Sequence, residues 1–244
     1  MPRVDFRLNG LATIRLLTGS TPGRAPEFFH DVQEAAMTPD AARQQSHEFL
    51  ARHQLPINET LPLLESPADL SPQLSIDVAR RAAILTHIIG IGFGQPGSKM
   101  KQPLIDFGLL QFVSPNERLL LDLTTYIEQQ KIDATWLVEC MQAIGWCFQF
   151  VDLDPFSGCD DDLASHFPAP FTDPNDFIQS ASLRPFSEIY RLADLHYRLH
   201  WATRDCRLKQ LPCKIKEGVI KERRKALEWV IGVESNWDEI PMDT

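Results

Sequence analysis

Apolar residues recur at helical spacing along most of this 244-residue chain, and the spacing predicts a mainly α-helical protein. Thr38-Pro39 has the form of a helix cap with proline at the first helical position, and the chain then runs without a breaker to about His53. Val78, Ala82, Leu85 and Ile89 fall three and four apart, on one face of a second helix that ends in glycines. Ser114-Pro115-Asn116-Glu117 fits the capping box, in which the Ser oxygen takes one free amide and the Glu carboxylate another. Leu120, Leu123 and Ile127 then line a face, and Asp133 is placed to cap a helix with Leu137, Met141, Ile144 and Phe148 inward. Pro185 opens a long helix to about Leu208, with Ile189, Leu192, Leu195 and Leu199 inward. Gly218 opens a last one to Ile231, carrying Ile220 and Leu227.

Two stretches depart from this period. Val4, Phe6 and Leu8 alternate with polar residues, Asn9-Gly10 follows, and Ala12, Ile14 and Leu16 alternate again, which is the signal of a short β-hairpin. A turn-rich link over 19–26 separates it from the rest, so the expected organisation is an N-terminal extension over 1–38 and one helical domain over 39–244. From Asp152 to Asp176 the chain holds four prolines, an Asp triplet and no period, which predicts a long loop or surface flap.

The apolar share of 43% and charged share of 23% suit a chain that buries a core. Arg15 interrupts the only apolar stretch near the amino terminus, so no signal peptide is expected. No apolar run approaches the ~20 residues of a membrane helix. Five scattered cysteines match neither a disulfide scaffold nor a zinc cluster, and Cys140 and Cys147 would lie roughly 10 Å apart along one helix, beyond disulfide reach. These features predict a cytoplasmic protein with reduced thiols and no membrane association.

Charge is the most uneven property of the sequence. Between Ile132 and Leu183 there is no Lys or Arg, but nine acids: Asp133, Glu139, Asp152, Asp154, Asp160, Asp161, Asp162, Asp173 and Asp176. Those nine equal the whole net charge of −9, and the segment from Arg184 to Ile231 answers them with twelve Lys or Arg against six acids. The overall acidity argues against nucleic acid as a partner, although the basic stretch from Lys209 to Lys225 could hold phosphate locally.

Motifs of catalysis are weak here. Gly92, Gly94 and Gly97 match G-x-G-x-x-G, but a helix precedes them where a strand should, and the following Ser98-Lys99 reverses the P-loop order; a helix end and loop is the better reading. An EF-hand loop starting at Asp152 would need Asp or Asn, Gly and Glu where Phe156, Ser157 and Leu163 stand. His196 and His200 have the i, i+4 spacing of zinc ligands with Cys206 beyond them, yet no metalloprotease Glu follows His196, and packing is the expected role. No metal, cofactor or catalytic residue is therefore assigned.

Arg80-Arg81-Ala82 with Leu85, Ser114-Pro115-x-Glu117, Trp136-x-x-Glu139 with Trp146, and Ala193-Asp194-Leu195-x-Tyr197-Arg198-x-His200-Trp201-Ala202 form one set of motifs. Glu222-Arg223, Ala226-Leu227, Trp229, Trp237-Asp238 and Asp243-Thr244 complete it. Together they resemble the bacterial "domain of unknown function 4272" family over roughly Pro39 to Thr244. The resemblance implies a helical fold more firmly than an activity. Its mixture of Trp with ions predicts either a buried ionic network or a ligand pocket built from Glu139, Asp194, Arg198, His200, Trp201, Glu222 and Arg223.

The expected function is non-enzymatic binding. In size, acidity and lack of catalytic motifs the chain looks like a cytoplasmic immunity protein that neutralises a secreted bacterial toxin, such as a type VI nuclease effector. Asp152, Asp154, Asp160, Asp161 and Asp162 would dock against a basic surface of that protein partner. The alternative is an enzyme or small-ligand sensor using the Trp-rimmed polar cluster.

Overall fold

A computed structural model describes residues 38–243, and the hairpin expected over Val4 to Leu16 lies outside them. Within that range the chain forms α1 (Pro39–Arg52), α2 (Ser75–Gly92), α3 (Gly97–Asp106), α4 (Pro115–Asp122), α5 (Glu128–Cys147), α6 (Asn175–Ser180), α7 (Phe186–Leu208) and α8 (Glu217–Ile231). No strand occurs among the described residues, so the fold is a single mainly α-helical domain. Five helices pack in a neighbour order of α1, α7, α8, α5 and α2, and α3 and α4 cover the outer side of α2.

Local chemistry explains most boundaries. The Thr38 side chain accepts from Ala41 N–H at the start of α1, and Ser114 and Glu117 form the reciprocal capping box of α4. Gly232 ends α8 with φ 83°, and a Cβ there would stand 2.1 Å from the Ser71 carbonyl oxygen, so a larger residue cannot occupy the turn. The predicted inward residues of α2, α7 and α8 are all buried.

Three local expectations need correction. Leu123 and Ile127 are exposed, because α4 stops at Asp122 and Leu121 is its buried apolar residue. Asp133 caps nothing; α5 starts one and a half turns earlier, at Glu128. The stretch after Gly94 is a helix, α3, despite Pro103 inside it, since Met100 and Leu104 are buried against its neighbours and that burial outweighs one lost backbone bond.

Candidate functional site: an acidic loop fixed over a buried ionic layer

The segment between α5 and α6 has almost no regular structure, yet its backbone is held from below by three side chains. Gln142 on α5 donates to Asp152 O (2.7 Å) and to the Asp160 carboxylate (2.9 Å), and its Oε1 accepts from Asp160 N–H (3.0 Å). Arg223 on α8 donates to Asp154 O (2.7 Å) and Ser157 O (3.2 Å). Glu139 accepts from Cys159 N–H (3.1 Å) and also pairs with Arg223 at 2.8 Å. Arg223 has no solvent exposure, so its charge is compensated by Glu139 and its remaining donors are taken by loop carbonyls. The loop is a fixed surface rather than a free flap.

Above this layer the carboxylates point to water. Of the nine acids between Ile132 and Leu183, Glu139 alone is buried; Asp152, Asp154, Asp160, Asp161 and Asp162 are all exposed. Arg223 binds loop carbonyls rather than the loop carboxylates, and no salt bridge among the described residues joins Lys or Arg to any of these five. The His166 Nε2 atom lies 4.0 Å from the Asp162 carboxylate. Phe156 leans out of the loop against His53 (4.8 Å between ring centroids) and, with Arg52 and Lys214, borders an open surface cleft.

The polar residues expected to meet in one cluster do not do so. Helix α8 packs between α5 and α7, so Glu139 faces α8 while Asp194 faces α1, on the other side of α7. Asp194 takes two hydrogen bonds from Arg198 (2.9 and 3.0 Å) and one from Ser46 of α1 (2.6 Å). His200 lies against Arg224, which pairs with Glu228 (2.6 Å) and donates to the carbonyls of Pro241 and Asp243. Glu222 accepts from the Cys140 thiol, and Trp201 is half-buried on α7. A fourth pair, Arg81 with Glu117 at 2.7 Å, sits under Trp229 and Trp237, whose faces lie 5.6 and 5.0 Å from the guanidinium.

Arg223 with Glu139 and Arg81 with Glu117 tie separate segments, while Arg198 with Asp194 and Arg224 with Glu228 each brace one helix. None of Glu139, Asp194, Arg198, His200, Trp201, Glu222 or Arg223 lines either of two open clefts on the surface: the one at Phe156, and one along α1 beside His47 and Glu59. Burial holds the His196 ring neutral, its pKa pushed down to about 3, and burial with the Arg224 charge takes His200 to about 4. Burial also raises the Glu228 carboxyl, against the opposing pull of Arg224. His196 Nδ1 and the Leu192 carbonyl are 2.9 Å apart, so His196 and His200 serve different partners, and no group of three or more His, Cys, Asp or Glu among the described residues is arranged to hold a metal ion.

Sequence reasoning missed Gln142, Arg224 and Glu228. The Arg224 and Glu228 spacing of four was visible as a helical ion pair, whereas nothing in the one-dimensional pattern marks Gln142.

These features define a mainly helical domain tied by buried ion pairs, with an acidic loop fixed over α5 and α8. The model of the domain of unknown function (DUF4272) matches residues 42–240, and the chain belongs to that family. No curated protein and no solved structure matches the chain. No described helix is long and apolar enough to cross a membrane.

Proposed function

We propose that this chain is a non-enzymatic binding protein that receives a basic protein partner on the acidic α5–α6 loop. In its concrete form it is an immunity protein, acting in the cytoplasm, that neutralises a secreted bacterial toxin such as a type VI nuclease effector. One observation supports this reading above others: Asp152, Asp154, Asp160, Asp161 and Asp162 are exposed on a backbone already fixed by Arg223, Glu139 and Gln142. A fixed array of like charges has no ordering cost to meet on association, and its field steers a cationic surface into place. Such an array, laid over a basic substrate cleft, blocks the cleft while mimicking the charge of its nucleic-acid substrate.

Growth protection tests the reading. The genes beside its own are searched for a secreted toxin, and the chain is co-expressed with that toxin, either unaltered or with Asp160, Asp161 and Asp162 changed to Lys. Protection by the unaltered chain and loss of protection by the equally folded variant is the expected result. Equal protection by both would remove the acidic loop from the mechanism.

A further inference from the structure

Two pairs of cysteines stand seven positions apart, Cys140 with Cys147 and Cys206 with Cys213, and the fold treats them differently. The first pair lies on one unbroken helix, α5, which holds the residues roughly 10 Å apart along its axis. The second pair straddles the end of α7. Gln210 takes φ 56°, Gln210 N–H donates to Arg207 O at 3.2 Å, and Leu211 N–H donates to Cys206 O at 2.8 Å, so the chain doubles back on the last helical turn. That reversal brings the Cys213 side chain within hydrogen-bonding reach of the Cys206 thiol. Cys206 is buried, Cys213 is half-buried, and both are free thiols.

We propose that Cys206 and Cys213 form a reversible dithiol modification site, oxidised to an intramolecular disulfide by a low-molecular-weight disulfide such as oxidised glutathione. The Cys213 thiolate, the more accessible of the two, attacks one sulfur of the small disulfide, forming a mixed disulfide and releasing one glutathione thiolate. Cys206 then gives up its proton, its sulfur attacks the Cys213 sulfur, and the second glutathione leaves as thiolate. Two protein thiols are oxidised, one small disulfide is reduced to two thiols, and the two protons pass to the leaving thiolates. With the chain folded back in this way, side-chain rotation suffices to bring the two sulfurs to a bond of about 2 Å. Cys140 and Cys147 do not compete, since both are fully buried and burial pushes their thiols up, that of Cys147 to about 12. The bond would fasten the α7–α8 connection beside Lys214, which borders the same cleft as Phe156 of the acidic loop. The inference does not depend on what that loop binds.

The test treats the native full chain at neutral pH with excess oxidised glutathione, blocks remaining thiols with an alkylating label, and reads intact mass and tryptic peptides. The expected chain loses two hydrogens, keeps three of its five thiols open to label after denaturation, and returns to five after reduction. Lys209 lies between the two cysteines, so trypsin yields their peptides as one species only when they are linked. Cys206→Ala is expected to retain a glutathione adduct on Cys213, and Cys213→Ser, at the less buried position, to leave Cys206 unmodified. A wild-type chain that stops at a glutathione adduct on Cys213, links a different pair, or keeps all five thiols under these conditions would overturn the proposal.

Discussion

The buried ionic layer and the acidic loop above it use the same residue types for opposite ends. Beneath the surface, Glu139, Asp194, Glu117 and Glu228 each have an arginine within hydrogen-bonding distance, and every one of those pairs ties two segments or braces one helix. In the loop, five aspartates stand in water without a Lys or Arg partner among the described residues. Charge that is paired specifies the fold, and charge that is left unpaired is available to something else. Arg223 joins the two regimes, since it completes the Glu139 pair and holds the carbonyls of Asp154 and Ser157.

Removing Arg223 therefore has the largest expected effect. Arg223→Ala leaves Glu139 buried without its counterion and should cost about 3–5 kcal/mol in a urea titration. Amides of the loop near Cys159 should also lose protection in hydrogen exchange. A loss below about 1 kcal/mol would mean that water reaches Glu139 and that the layer is not closed.

Acid separates the two regions next. His196 and His200 are neutral in the folded chain down to about 3 and about 4, while in the unfolded chain they take protons near 6.5. The unfolded state therefore binds more protons as pH falls, and the contribution of both rings is complete above about 6.5 and is lost progressively below it. Between pH 6.5 and 5.5 the pair should remove about 2 kcal/mol of stability. His87, also pushed down by burial, acts in the same direction, and the raised Glu228 acts in the opposite one. Thermal melts across this range give the slope, and a flat profile would show that these rings are solvated.

A smaller loss is expected from Ser46→Ala, which takes one donor from Asp194 but leaves its two bonds to Arg198. About 1.5 kcal/mol is the expected cost, again by urea titration. The smallest change in stability belongs to reversal of Asp160, Asp161 and Asp162 to Lys, which adds six charges and moves the net charge from −9 to −3. Asp161 and Asp162 have little to lose in the fold and Asp160 loses the bond it accepts from Gln142, so the cost should be about 1 kcal/mol.

Helices were legible wherever burial and period coincide. Ile189, Leu192, Leu195 and Leu199 predicted α7 because one stripe faces the core, and the Ser114 cap predicted α4 because its chemistry is local. Pro103 and the glycines hid α3, whose reason for being helical lies in its neighbours. The charge gap from Ile132 to Leu183 marked the acidic surface, since a run without Lys or Arg cannot neutralise itself. What holds that surface in place was not legible: Gln142 and Arg223 reach it across 18 and 69 positions of sequence, and only the packing of α5 on α8 sets those distances. The pairs Asp194 with Arg198 and Glu139 with Arg223 form as their residue types suggest, but their gathering into one cluster was misread for the same reason, because Glu139 and Asp194 fall on helices that α8 separates.

The most direct test of the acidic loop as a docking surface is the association rate constant for the basic toxin, measured from low to high salt for the unaltered chain and the Asp160, Asp161, Asp162 to Lys variant. The unaltered chain should associate about tenfold or more faster at low salt, with a steep fall as salt rises and a much shallower one for the variant. Equal rates and equal salt slopes for the two would contradict the account.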